Sequence, residues 1–509
     1  MKTNYRRYAH TIIIAMIALS AAITTVPAQV NTLYYMKTVS TRHELNPSFQ
    51  PLPNGYYSTI PVVSGFYVGA GNNSLSLDNV LYPKMINGEY KTIWFYHNEG
   101  NIDDFYNSLK KTTRLYAEAD LRLFAFGIRM PHNSYLTVGL NTKMNTGIFI
   151  PKDLIKFFTY GTPDPENGNS FDLSNLGVRS NVYTELATGY SRVIDEKLTV
   201  GGKFKLLMGH TNTIMKFNRF TLNASKDKWD FDIKGTINMS GPFKYEMDDQ
   251  EKINGLKFSP TDYLCGFGAA IDLGANYKLF DDKLNVSAAL LDLGFINWKA
   301  KNSANMPIEG SFDFDGIDIN IKDGDANWDE GYFDNVMDNI EYSTTYKPYA
   351  SALATKVLIG AEYSIMDNQL TFGGLSKSTI INKSVFQEIT ASANYLPFDF
   401  LNLSLSYSLL NGRFGTIGLG IGGRMGPVNI FIASDYFPAK YTKQFVPYKN
   451  KSINVQYGFL FNFGYSAKKN ADDDKDGVQN RYDKCPDTPA DVLVNQYGCP
   501  VENVAKQDL

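Results

Sequence analysis

The 509-residue chain has little of what most functional classes require. It holds three cysteines and five histidines, and after its first thirty residues it has no long apolar run. That excludes a bundle of membrane-crossing helices, each of which takes about 20 consecutive apolar residues. Basic residues show no excess either: 49 Lys and Arg stand against 52 Asp and Glu, for a net charge of -3, which argues against nucleic acid as a partner. His43, His97, His132 and His210 are scattered without metal-ligand spacing and read as loop or strand positions. No Ser/His/Asp or Cys/His arrangement has a supporting motif, and no phosphate loop is visible, so no catalytic residue is assigned. Gly418-Leu419-Gly420-Ile421-Gly422-Gly423 has dinucleotide-fingerprint spacing, but that motif acts only between a strand and a helix. Here glycine alternates with Ile417, Leu419 and Ile421, which describes a strand with one small-residue face.

What the chain does contain is aromatic and hydrophobic residues, 14% and 43%, with 33 Tyr, 33 Phe and 41 Gly. Its first residues place Lys2, Arg6 and Arg7 before an apolar stretch from about Thr11 to Ile23, then Val26-Pro27-Ala28 before Gln29. This is the order of a secretory signal, residues 1–28, with a mature chain starting near Gln29. A membrane anchor is the competing reading, for which the stretch is short. Export would put the cysteines in an oxidising compartment.

Residues 29–466 show the alternation of a transmembrane barrel strand, one face toward lipid and one toward the lumen. Asn402, Ser404, Ser406 and Ser408 alternate with Leu401, Leu403, Leu405, Tyr407 and Leu409. Lys203 and Lys205 alternate with Phe204, Leu206 and Met208, an arrangement that a soluble sandwich rarely tolerates. Ile453, Val455, Tyr457, Phe459, Phe461, Phe463 and Tyr465 form the closing strand, with Leu460 interrupting its polar set. The expected fold is all-β, an antiparallel barrel of roughly 12 to 16 strands, since bacterial barrels take even numbers. A soluble sandwich or solenoid is the alternative. Turns beginning at Asp195, Asp281 and Asp367, each preceded by Tyr190, Tyr277 or Tyr363, fit the short periplasmic side with its aromatic girdle. Irregular stretches from about Leu77 to Asp120, Lys152 to Val178, Asp227 to Thr261 and Lys299 to Ala350 fit external loops or a lumen plug. Ile102 to Leu109 has helical spacing. The organisation read from this is an N-terminal segment, 29–120, with the first strands and a plug, then the rest of the barrel, 121–466.

Composition changes in the extension 467–509. Asp472, Asp474, Asp476, the Val478 carbonyl, Asn480 and Asp483 fill slots 1, 3, 5, 7, 9 and 12 of a calcium loop, with Gly477 at the turn. A solvated acidic linker is the plain alternative. The acidic stretch Asp313, Asp315, Asp318, Asp323, Asp325 and Asn327 fails the same spacing test and reads as a solvated loop. With Cys485-Pro486-Asp487-Thr488-Pro489 and Gly498-Cys499-Pro500, the extension resembles the thrombospondin type 3 repeat of OmpA-type envelope proteins. That resemblance implies calcium as the cofactor and a spacer role. Cys485 and Cys499 are expected to pair, as so short a segment has no core of its own. Cys265 has no evident partner and reads as a buried strand residue.

His43-Glu44-Leu45-Asn46-Pro47-Ser48-Phe49-Gln50-Pro51 and Asp292-Leu293-Gly294-Phe295-Ile296-Asn297-Trp298-Lys299 give the barrel its own resemblance, to an uncharacterised Bacteroidota family of outer-membrane barrels. Such barrels also resemble fatty-acid-transporter-type barrels with an N-terminal plug. The expectation is a non-enzymatic outer-membrane scaffold or anchor with a periplasmic calcium-binding extension, its partners being outer-membrane lipid and an envelope protein. The alternative is a channel or transporter for a small or hydrophobic solute.

Overall fold

The computed structural model describes residues 30–500 apart from 52–54, 61–63, 96, 163–167, 226–227, 248–252, 281–282, 315–340, 367, 382–383, 399, 411–412, 438–450, 465–473, 475, 479–482, 486, 490–491, 493 and 495–497. In chain order its strands begin with β1 (Tyr56–Ser58), β2 (Gly65–Asn72), β3 (Leu81–Ile86), β4 (Glu89–Trp94), β5 (Thr112–Met130), β6 (Ser134–Pro151), β7 (Asn169–Asp172) and β8 (Gly177–Val193). They continue with β9 (Leu198–Ala224), β10 (Trp229–Ser240), β11 (Phe243–Met247), β12 (Ile253–Phe258), β13 (Gly266–Leu279), β14 (Leu284–Trp298), β15 (Ser303–Phe314) and β16 (Glu341–Tyr342). The last are β17 (Tyr349–Ala352), β18 (Thr355–Ile365), β19 (Leu370–Ile381), β20 (Ser384–Phe398), β21 (Leu401–Leu410), β22 (Arg413–Met425), β23 (Val428–Phe437) and β24 (Ser452–Phe463).

Antiparallel pairing closes this sheet into a 14-strand barrel. Its first wall position is filled by β1 and β2 together, each paired with β5 on one side and β24 on the other. The wall then runs through β6, β8, β9, β13, β14, β18, β19, β20, β21, β22 and β23 back to β24, with β17 continuing β18 against β14. Closure leaves no unpaired edge, which is what lets a sheet lie in hydrocarbon.

The period-2 pattern decides which face turns inward. Along β21, Asn402, Ser404, Ser406 and Ser408 are buried inside while Leu403, Leu405 and Tyr407 are exposed outside. In β9, Lys203 and Lys205 are buried at 8% and 5% while Phe204 and Leu206 stand 51% and 49% exposed. Charged groups inside and apolar groups outside invert the order of a water-soluble barrel. The outward surface, including Ile271, Leu293, Ile359, Ile421 and Ile432, is one that water would penalise and a bilayer would not. Leu460, the exception in the closing strand, is fully buried because it packs on the segment filling the lumen.

One end of the barrel carries only tight connections: 131–133, 194–197, 280–283, 366–369, 399–400 and 426–427. Asp195 shapes its turn by accepting from the Lys197 and Leu198 amides at 2.8 and 2.7 Å. Asp281, Asp282 and Asp367 fall outside the described residues, though Lys283 N to Phe280 O and Gln369 N to Met366 O close those turns. Tyr190, Tyr277 and Tyr363 all face outward beside this end.

The other end differs from the sequence expectation. Three stretches read as irregular contain strands. β3 and β4 form a hairpin, and β5 begins at Thr112 rather than after Asp120. β10 and β15 extend the wall above β13 and β14, because β9 runs for 27 residues and its upper half, Asn212–Ala224, needs partners. β11 and β12 form a further hairpin. Lys152–Tyr160 and Ile102–Ser108 are helices, the latter where helical spacing placed it. Asp313 pairs with Asp230 in the β15–β10 ladder, while Asp315, Asp318, Asp323, Asp325 and Asn327 lie outside the described residues.

Leu405 lies mid-strand against Ala393 and Leu419 on the outward face. Leu405→Arg or Leu403→Arg should therefore cost roughly 2–4 kcal/mol in a bilayer and abolish assembly. The check is the folded, membrane-inserted fraction of each variant, and normal insertion of both would reverse the assigned faces.

Candidate functional site

The lumen is filled from the tight-turn end by residues 30–51. Two short 3-10 turns, Asn31–Tyr35 and Ser40–Glu44, fold this segment into a plug whose Leu33, Tyr34, Tyr35, Met36 and Leu45 join the main buried cluster with wall residues Tyr57, Tyr135, Leu358 and Leu460. A plug can approach the wall only where the wall side chains are small. On β22, a Cβ at Gly418 or Gly420 would meet Thr32 and Met36. This gives the alternating glycines their physical reason.

Polar anchors fix the plug's register. Tyr34 Oη pairs with Ser287 Oγ at 3.0 Å, and Tyr35 Oη donates to Gly374 O at 2.6 Å. Asn46 Nδ2 donates to Ala288 O at 3.2 Å while its Oδ1 accepts from Ser48 N at 3.0 Å. Glu44 meets Arg122 on β5 at 2.6 Å, and Lys37 meets Glu362 on β18 at 3.4 Å. His43 Nε2 lies 2.5 Å from Tyr57 Oη. The histidine expected in a loop or strand is a plug residue.

Around the plug and beyond it the inner wall carries a belt of charges in which lysines and carboxylates on neighbouring strands pair with one another. Asp120 on β5 stands directly opposite Lys143 on β6. Lys143 Nζ is 2.8 Å from Glu185 on β8, and Lys205 on β9 is 2.7 Å from Asp272 on β13 and 2.6 Å from Asp292 on β14. Asp292 also binds Lys356 on β18 at 2.9 Å. Further round, Lys377 on β19 faces Glu388 on β20 at 3.2 Å, in direct register. Opposite charges at facing strand positions support one another, and a buried charge needs such a partner.

Asp292 is the hub, and the backbone is shaped to put it there. Its φ of 58° is left-handed, a conformation non-glycine residues adopt sparsely though Asp tolerates it. The ladder between β13 and β14 shifts register at Ile271/Leu273, and the break between β17 and β18 lies opposite. The Asp292 amide, turned out of the ladder, donates to Asp272 Oδ1 at 2.7 Å. Such a bulge re-aims a side chain. Both segments that gave the barrel its sequence resemblance thus meet in the lumen. His43 and Glu44, with Lys203, Lys205, Asp272 and Asp292, line a small cavity of about 20 Å³ between plug and belt.

Beyond the belt, toward the long connections, lies a larger cavity of about 130 Å³. Its floor includes Glu118, Lys143, Asp292 and Lys356, while Phe149, Leu353, Ile381 and Phe386 supply apolar wall. Arg114 stacks over Phe386 at 5.0 Å, and Arg179 Nη2 donates to Ala352 O at 2.8 Å.

In the extension, Asp474, Asp476 and Asp483 bring carboxylate oxygens within 4.8 Å of one another. Asp476 and Asp483 each keep one buried oxygen with no hydrogen-bond partner, and both crowd Gly498. Gly477 takes φ 94° and Val478 N donates to Asp476 Oδ1 at 2.7 Å. That donor set, all carboxylate oxygen with orphaned atoms, fits a hard cation. Asp472 and Asn480 lie outside the described residues. Cys485 and Cys499 form a disulfide, and Cys265 is a buried free thiol just ahead of β13.

Sequence reading reached Lys203 and Lys205 but not Lys143, Glu185 or Asp292 as belt members. Their signal was present as single charges alternating with apolar residues, as in Glu185 before Leu186. Asp292→Asn keeps a side chain that accepts the left-handed backbone and removes only the charge. It should destabilise the folded barrel by about 3–5 kcal/mol, since Lys205 and Lys356 lose a shared partner. Denaturant unfolding in detergent measures this, and unchanged stability would show that the belt is not held by charge.

None of the curated proteins matches the chain in sequence. Among solved structures, the Pseudomonas putida toluene transporter TodX is similar at 11% identity and a TM-score of 0.39, over 84% of this chain and 95% of its own. A FadL homologue of Pseudomonas aeruginosa is similar at 8% identity and a TM-score of 0.40, over 87% and 100%. The CymD monoaromatic hydrocarbon channel gives 7% and 0.32, over 86% and 98%. What those proteins carry says nothing of the solute here. The model of the family of unknown function DUF5723 matches residues 47–435, from the foot of the plug to the end of the barrel's penultimate strand, and the chain belongs to that family.

Proposed function

We propose that the protein is an outer-membrane channel or transporter for a small, largely apolar solute, closed in this state by its own N-terminal segment. The observation that carries the reading is the cavity above the charge belt. Lumen-facing positions of a membrane barrel are ordinarily polar. Phe149, Ile381 and Phe386 put apolar surface there, where neither lipid contact nor packing on the plug asks for it. Its 130 Å³ is close to the roughly 150 Å³ of an engineered apolar cavity that takes up benzene. The expected scaffold role uses no such cavity, so conduction replaces it as the leading reading.

The location follows from the outward apolar belt and the tight-turn end, which in outer-membrane barrels faces the periplasm. β24 ends at Phe463 opposite Tyr56, at that same end. The extension after it is then periplasmic, and the plug enters from the periplasm. Calcium at Asp474, Asp476 and Asp483, completed by Asp472, Asn480 and the Val478 carbonyl, would stiffen that extension as a spacer toward an envelope partner.

Three experiments test these readings. Purified full-length protein should bind a fluorescent small apolar probe, and Ile381→Asp should weaken binding while leaving assembly intact. Deleting residues 30–50 should raise conductance in planar bilayers. Binding indifferent to Ile381→Asp, with a plug deletion that stays silent, would return the scaffold reading. Calorimetry with calcium on the full chain should show binding that disappears in the Asp474→Ala, Asp476→Ala variant, and persistence would remove those ligands.

A further inference from the structure

The inner end of the plug sits in a part of the lumen with more negative than positive charge. Val30 N donates to Gln456 Oε1 at 3.0 Å. Asn31 bridges two wall groups, donating to Glu388 Oε2 at 2.9 Å and accepting from Lys377 Nζ at 3.0 Å. Asp435 accepts from the Asn31 and Thr32 amides at 2.7 and 2.9 Å and from the Thr32 hydroxyl at 2.6 Å. Glu118 completes the group: Tyr67, which packs in the same cluster as Val30, lies within electrostatic reach of Glu118, Glu388 and Asp435 together.

Two carboxylates, Glu388 and Asp435, therefore contact the start of the plug, and Glu118 faces the same part of the lumen, level with Gly69 and Asn454. Among the described residues, Lys377 is the one cation in ion-pair contact with any of them, through Glu388. Lys143 and Lys356 also reach Glu118 electrostatically, but each is held by its own carboxylate, Glu185 or Asp292. Glu388 is 3% exposed, and its Oε1 has no hydrogen-bond partner, nor has Glu118 Oε2. Buried carboxylates without compensation are costly, so the pocket is short of a cation and of hydrogen-bond donors. A primary ammonium provides both.

The chain itself generates such a group at this place. Val26-Pro27-Ala28 before Gln29 reads as a leader-cleavage boundary. Cleavage there leaves an α-ammonium one residue ahead of Val30, about one 3.8 Å Cα step from a residue fixed in the pocket. An uncleaved chain would carry a neutral peptide bond at that point. We propose that Glu118, Glu388 and Asp435 form the binding site for the α-ammonium of the processed chain, so that removal of the leader creates the charge that seats the plug. The site is independent of whether the barrel conducts.

The test uses the full-length protein, exported and purified folded in detergent. Its N-terminus is identified by mass spectrometry, and the rate of α-amine reductive methylation is measured against pH. Glu118→Gln, Glu388→Gln and the double variant are compared with Glu362→Gln, a wall carboxylate that pairs with Lys37 further along the plug. A free α-amine titrates near 8, and carboxylates that hold its proton raise that value, slowing methylation at neutral pH by about tenfold per unit. The expected result is a protected α-amine in the wild type and in Glu362→Gln, with faster methylation and a lower-shifted pH profile in the double variant. Glutamine keeps the shape, so simple burial would leave the rates equal, and equal rates overturn the proposal. A mature terminus well away from Gln29 also overturns it. So does a terminus found wholly as neutral pyroglutamate, in which the α-nitrogen has attacked the Gln29 side-chain amide and released ammonia. If the double variant does not assemble, Glu118→Gln alone decides, because it leaves the Lys377–Glu388 pair in place.

Discussion

Asp292 holds two lysines at once, and the organisation of the lumen depends on that arrangement. A barrel with hydrocarbon outside must satisfy every ionic group it turns inward without help from bulk water. Here the satisfaction is lateral. Asp120, Lys143, Glu185, Lys205, Asp272, Asp292 and Lys356 lie on successive strands, so each contact also ties one strand to the next. The bulge at Asp292 is the one place where two carboxylates, Asp272 and Asp292, converge on Lys205 and leave an oxygen for Lys356. Without the left-handed backbone the side chain would stay in the regular alternation of β14, one position from where Lys356 can reach it.

The plug solves a different problem. Its apolar side chains meet wall positions that departed from the polar pattern, such as Leu460, Leu358 and the glycines of β22. The same departures, viewed in the wall alone, look like defects of alternation. They are the imprint of a segment more than three hundred residues away in sequence. A plug seated by both shape and charge is specific in register, because sliding by one residue would bring Tyr35 or Lys37 to the place Met36 takes beside Gly420 and separate Glu44 from Arg122.

This explains how much could be read in advance. Strands such as β21 were legible because local alternation alone decides which face is wet, and the Asp195 turn because its side chain caps its own backbone. The clustering of Asp474, Asp476 and Asp483 was legible because the three lie close together in the chain. The upper strands β10 and β15 were not, since their residues alternate weakly and they exist because β9 outruns the barrel. The belt was half visible: Lys203 and Lys205 showed that charge points inward, but their counterions lie on other strands, and pairing across 87 residues, as from Lys205 to Asp292, leaves no local trace. The two segments that gave the barrel its family look converge on one cavity, which no spacing within either could reveal.

Conduction through such a lumen requires the plug to move while the wall survives, and the ionic contacts are distributed in a way that allows it. Every member of the belt is a wall residue, so the belt persists with the plug withdrawn. Among the described residues the plug meets the wall in two ion pairs, Glu44 with Arg122 and Lys37 with Glu362. Its departure would leave those two wall groups, and the carboxylates proposed to seat its α-ammonium, to be met by water entering the lumen. Withdrawal would also uncover the apolar wall residues the plug now covers, Leu358 on β18 and Leu460 on β24 among them. If the proposed conduction holds, an apolar solute would meet apolar wall on both sides of the belt, and the belt would be the narrow charged step it has to pass.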